Sequence, residues 1–196
     1  MRFTGINKVT PQRKIIGNTD KFGNAGIKKQ QGTTRAIYDS LPLDGRTTFR
    51  FFEESNNRNF PFTNTGADGN KLPVGNALAI ERAYLSVVQT DGDGGVVNIF
   101  TLATANANIR AGELNIEIAN SQVLKQVPLI SFLPDNNKSA MHVQYQNFEF
   151  DTQLVLNPLL EFVFPVRVNT YAPQENFFLR LTVEGTGAII APRATF

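Results

Sequence analysis

The chain has no cysteine, no tryptophan and a single histidine, His142. Without cysteine there is no disulfide framework, thiolate metal site or thiol nucleophile, and the chain suits a reducing or an oxidising compartment equally. One histidine excludes a His cluster for zinc and a serine–histidine–acid relay with a spare base. His142, after "SAM", reads as a polar residue at a strand end. No metal, cofactor or small-molecule substrate is expected. No window approaches the roughly 18 apolar residues of a membrane span, and "MRFTGINKVTPQRK" lacks a continuous apolar signal core, so by this route the chain is expected to be neither secreted nor inserted. Lysine is scarce too, eight in all, and five of these precede residue 30.

That last shortage exposes an asymmetry of charge. Eight of the 19 basic residues but one of the 17 acids fall in the first 35 positions, giving +7 there and −5 for residues 36–196. The net charge of +2 is therefore the sum of two opposite parts. The segment "KIIGNTDKFGNAGIKKQQGTTR" has too few apolar residues to build a core. Residues 1–45 are read as an extended basic arm and 46–196 as a single folded domain, a common size for one core.

The body is rich in phenylalanine, 16 residues, and in asparagine, 20, which clusters in loops such as "EESNNRN" and "PDNNK". Its periodicity is that of strands. "TTFRFFEES" sets Phe49 and Phe51 against Thr48, Arg50 and Phe52. "ALAIERAYLSVVQT" is compatible with helix but is taken as a strand, with Leu78, Ile80, Arg82, Tyr84, Ser86 and Val88 on one face, because Tyr and two valines precede the stop "DGDGG". That stop, Asp91 to Gly95, reads as a hairpin turn. "ELNIEIA", "QVLKQVPLISFL", "HVQYQNFEFD", "LLEFVFPVRVN" and "NFFLRLTVEG" follow, and "GAIIAP" is a further closing segment. "ATANANIRAGE" is the only helix candidate. Eight to nine strands, no internal repeat and long connections at 56–76 and 130–141 favour a Greek-key or jelly-roll sandwich over a meander barrel.

Motifs for chemistry are weak. Glu113 and Glu117 share a strand face about 13 Å apart, wider than glycosidase carboxylates. "DGDGG" lacks the remaining ligands of a calcium loop, and "TGADGNK" lacks phosphate-loop spacing. An enzyme would need Glu113, Glu117, Asp151 or Glu161 to converge in a cleft. Alternating Phe is core, but at Phe51–Phe52 and Phe177–Phe178 one ring of each pair should face outward, under the arm, a loop or another subunit.

The arm has three readings: a solvated tail, a neutraliser of phosphates, or a strap that orders on assembly. Arg13, Lys14, Lys21, Lys28, Lys29 and Arg35 are the candidate contacts to nucleic acid, an anionic lipid surface or acidic patches on neighbours. Ile15, Ile16, Phe22 and Ile27 are candidate anchors to neighbouring subunits, because a purely electrostatic tail needs no apolar residues.

The junction "KKQQGTTRAIYDSLPLDGRTTFRFFE" and the later strands "AIERAYLSVV", "LLEFVFPVRV" and "NFFLRLTVEG" resemble a single jelly-roll capsid protein of a tailless icosahedral virus or bacteriophage. The resemblance implies an all-β fold, a single jelly-roll sandwich of two four-stranded antiparallel sheets behind an extended N-terminal arm. It also implies end loops forming the outer surface and subunit joints, and symmetric self-association, with other capsid proteins as further partners. The setting would be the virion, and the host cytoplasm during assembly. The competing reading is a sandwich that binds host glycans, in which residues 1–35 have no role.

Overall fold

The computed structural model describes residues 30–53, 60–65, 69–74, 76–133 and 148–190. Nine strands run β1 Gln30–Pro42, β2 Thr48–Phe51, β3 Asn76–Thr90, β4 Val96–Thr101, β5 Glu113–Ile118, β6 Ser121–Pro128, β7 Phe148–Leu156, β8 Phe162–Arg167 and β9 Phe177–Ile190. They form two antiparallel sheets, so the all-β expectation holds. The first has the order β1-β9-β3-β4, with β7 also on β3, and the second β2-β8-β5-β6. β7 pairs with Leu78 to Ala83 and β4 with Ser86 to Thr90, so the two divide the length of β3 while β9 spans its other side. The helix candidate reduces to a 3-10 turn, Leu102–Thr104, and one α turn, α1 Ala107–Arg110, whose N-cap Asn106 accepts from the Asn108 amide.

One core fills the space between the sheets. Phe49 and Phe51 stack with centroids 6.2 Å apart, while Phe52, Phe162 and Phe164 meet edge to face or tilted at 5.4 to 6.2 Å. Leu179, Leu181 and Val183 oppose them from β9, and Ile37 and Leu41 from β1. The chain crosses between sheets at every connection except the β3–β4 and β5–β6 hairpins. As a result, loops gather at the two ends of the sandwich.

Four sequence expectations change. First, the arm assigned to 1–45 contributes Gln30–Pro42 as β1, paired along its whole length with β9. Its inward row of Ile37, Asp39 and Leu41 is interrupted by an acid, which hides the alternation. Second, Phe52 does not face outward. The strand ends at Phe51, Phe52 adopts φ 63°, and the ring turns back into the core at 1% exposure. The buried Asp39 holds that turn: its Oδ1 accepts from the Ser40 amide at 2.9 Å and its Oδ2 from the Phe52 amide at 2.7 Å, joining β1 to the end of β2.

Third, the β3 face read from Leu78 to Val88 is not continuous. A bulge between Ile80 and Arg82 shifts the phase. Leu78 and Ile80 point inward, then Ala83, Leu85 and Val87, while Arg82 and Tyr84 turn out to a carboxylate, Glu184. Fourth, the segments read as "NFFLRLTVEG" and "GAIIAP" are joined from Phe177 to Ile190 in one strand, β9. Gly185 lies in its middle because the bulged β3 backbone presses against it: a Cβ there would run into the Ala79 carbonyl. The "DGDGG" hairpin forms as read, with Asp91 Oδ1 accepting from the Asp93 and Gly95 amides at 3.1 and 2.6 Å. The second Phe pair also behaves as expected: Phe178 is covered by a loop ring, Phe62, at 4.8 Å.

Candidate assembly surface

Of the residues expected to contact nucleic acid or neighbours, Arg35 alone is described. It lies on β1 opposite Gly185 and is partly exposed. Arg13, Lys14, Lys21, Lys28 and Lys29, the anchors Ile15, Ile16, Phe22 and Ile27, and the lone His142 lie outside the described residues.

Two of the acids named for a catalytic cleft come together and a third lies apart. Glu117 and Glu161 share a hollow of about 240 Å³ on the outer side of the second sheet, with Glu53, Arg50 and Asn70. Each has a cation: Arg50 Nε donates to Glu53 at 2.7 Å and its Nη2 lies 3.9 Å from Glu117, while Lys71 is 3.1 Å from Glu161. Glu113 lies at the far end of β5, opposite Arg167. Among the described residues no cluster of three or more His, Cys, Asp or Glu is arranged to hold a metal ion. The hollow is an exposed set of paired charges, suited to electrostatic contact with another surface.

Over β3, β9 and β1 the outer side of the first sheet is tied by its own side chains. Tyr84 donates to Glu184 at 2.8 Å, Arg82 donates to the same carboxylate at 3.3 Å, and Thr186 donates to Glu81 at 2.7 Å. Further along, Arg180 donates to Ser40 Oγ at 2.8 Å and to the Pro61 carbonyl at 2.7 Å, and its guanidinium lies 4.5 Å from the centre of the Tyr38 ring. Burial pulls Arg180 below its ordinary pKa, opposed by Tyr38 and Asp39, and the group stays charged. This clamp fixes the 60–65 loop over Phe178. Replacing Arg180 by leucine is expected to cost about 2 kcal/mol and to accelerate amide exchange across 60–65, leaving β5 and β8 protected. Unchanged exchange in the loop would show that the clamp does not hold it.

Among the described residues, exposed apolar side chains lie at ends and edges. Phe60, next to Pro61, is 83% exposed, Val74 and Leu159 are exposed near the β7–β8 end, and Ile130 just after β6. An open mouth of about 530 Å³ between Val87, Phe100 and Phe177 also lies at an end of the sandwich. Comparison with protein families, characterised proteins and solved structures gives no match. The surface must therefore be read from its own chemistry. Isolated exposed apolar side chains are ordinary on a monomer, but Val96, Val97 and Ile99 are clustered on β4. Sequence reading took β4 as one arm of a hairpin and missed its exposure; consecutive apolar residues in "VVNIF" were the available signal, since a strand with one solvated face should alternate.

Proposed function

We propose that the chain is a structural subunit that self-associates into a closed shell, a single jelly-roll capsid protein of the tailless icosahedral type. The observation that carries this reading is the strand order. With β4 set aside as an extension along β3, the sheets run β1-β9-β3-β7 and β2-β8-β5-β6. Eight strands wound between two sheets in this way fit a pair of Greek keys, an architecture used in viral shells and in lectins. Architecture alone does not choose between these uses.

Surface chemistry supports the shell. A glycan site needs one concave cluster with exposed aromatic platforms, and the chain has no tryptophan. Exposed apolar side chains instead occupy both ends of the sandwich and one sheet edge, as multiple modest contacts between copies require. The opposite charges of residues 1–35 and of the body add a second means of attraction, to nucleic acid or to neighbouring subunits.

The test keeps the folded domain intact. Because β1 begins at Gln30, deleting 1–35 would remove part of a strand, so the better variant converts Arg13, Lys14, Lys21, Lys28 and Lys29 to glutamine in the full chain. Its melting temperature should match the parent. Binding to single-stranded nucleic acid should weaken, with the salt slope falling by roughly 0.7 for each phosphate that is no longer neutralised, and nucleic-acid-filled particles should disappear. Unaltered binding and particle yield would remove the arm from the account, and glycan binding by the same variant would favour the lectin reading.

A further inference from the structure

We propose that β4 is a self-association edge, through which two copies of the chain pair antiparallel about a two-fold axis at Asn98. An unpaired strand edge is a template for another chain, and folded proteins blunt it with cover, charge, proline, bulges or shortness. The outer side of β1 is covered from Ala36 to Asp39: Asn64 Oδ1 accepts from the Tyr38 amide at 2.8 Å, Asn64 Nδ2 donates to the Ala36 carbonyl at 2.9 Å, and Thr63 bridges to Asp39. β2 has four residues, one of them Arg50. β6 contains Lys125, ends at Pro128, takes a positive φ at Gln126 and loses register with β5 twice. β7 carries Glu149 and Asp151.

Among the described residues β4 has no cover, and its six residues include no charge and no proline. It pairs with β3 on one side, and among the described residues no strand lies on the other. Its single register shift with β3, between Gln89 and Thr90, leaves Val97 as the extra residue between Val96 and Asn98. Its outer face is apolar, with Val97 56% and Ile99 47% exposed. Ile99 registers with Val88, and Val88 with Phe178, so the exposed pair continues an apolar row that Phe62 covers further in. Leaving that row open to water carries a cost that a partner would relieve.

Charge decides what the partner is. From Gly94 to Ile109 the chain carries no charged residue, its longest such run, whereas residues 36–196 as a whole carry −5. Like-charged bodies repel one another, and along this uncharged run two of them can meet without repulsion. Antiparallel pairing also makes the contact self-complementary: with the axis at Asn98, Val97 faces the partner's Ile99 on the apolar side, and the reverse. Six-residue edges bury less than a standard interface of about 1,600 Å², so the dimer is reversible and concentration-dependent.

The inference rests on β4 alone. A dimer that never grows into a larger particle supports it while counting against the shell. The absence of native cysteine provides a direct probe, Asn98→Cys in the full chain. Residues directly opposed across an antiparallel pair have Cα atoms about 4.5 or 5.5 Å apart, within disulfide range. Under mild oxidation this variant should form covalent dimers at least about tenfold faster than Thr34→Cys, an exposed position on β1. In sedimentation velocity across a concentration series, V97K/I99K should weaken dimerisation by about tenfold or more, since it places like charges opposite one another. Both side chains are exposed, so its melting temperature should match the parent. Equal cross-linking rates at the two cysteines, or an unaltered dimer constant in V97K/I99K, would overturn the proposal.

Discussion

Gly185→Val is expected to lower the stability of the sandwich by at least about 3 kcal/mol. Gly185 sits in the middle of β9, the strand that binds β1 on one side and β3 on the other. At this level β3 bulges, and its Ala79 carbonyl and Glu81 amide close over the Gly185 α-carbon. A side chain could enter only by pushing the β3 backbone away, and β3 is also the strand that holds β7 and β4. The whole first sheet is thus coupled to one missing methyl group. Urea unfolding followed by circular dichroism measures the effect as a fall in midpoint at constant slope. A variant whose midpoint stays within the error of the parent would mean that the bulge relaxes freely and that packing at this position is not tight.

Asp39→Ala is expected to cost about 3 kcal/mol for a different reason. The Asp39 carboxylate is buried and accepts from two backbone amides, one of them in the opposite sheet. Removing it leaves the Phe52 amide without this acceptor and takes away the bond that offsets a left-handed conformation at a phenylalanine. The Phe52 ring would then lose its place against Phe162 and Phe164. Asp44→Ala, which breaks an exposed ion pair to Arg46, serves as the control and should change stability by less than about 1 kcal/mol. Equal losses in the two variants would contradict the role given to Asp39.

These two positions also explain what could and could not be read from the chain. Strands whose apolar residues alternate without interruption, such as Leu114 and Ile116 of β5 or Phe162, Phe164 and Val166 of β8, were legible because one buried face leaves a period of two. Asp39 breaks that period in β1, and its value appears only when the Phe52 amide arrives from the other sheet. The bulge after Ile80 inverts the phase of β3 with no local signal that separates it from regular strand. Gly185 resembles a turn residue in sequence, whereas its reason is the approach of a neighbouring backbone. The charge asymmetry was legible at once, while the proposed assembly surface was only half so. The β4 edge follows from comparing all the sheet edges, a comparison that needs the strand order.

The central claim is self-association of a jelly-roll subunit into a closed shell. It is tested most directly by the mass distribution of the full-length protein, measured by light scattering across protein and salt concentrations, with electron microscopy of the largest fraction. The account predicts uniform closed particles of many copies, in exchange with small oligomers as salt is varied. A monomer at every salt and protein concentration, with or without added nucleic acid, would contradict it.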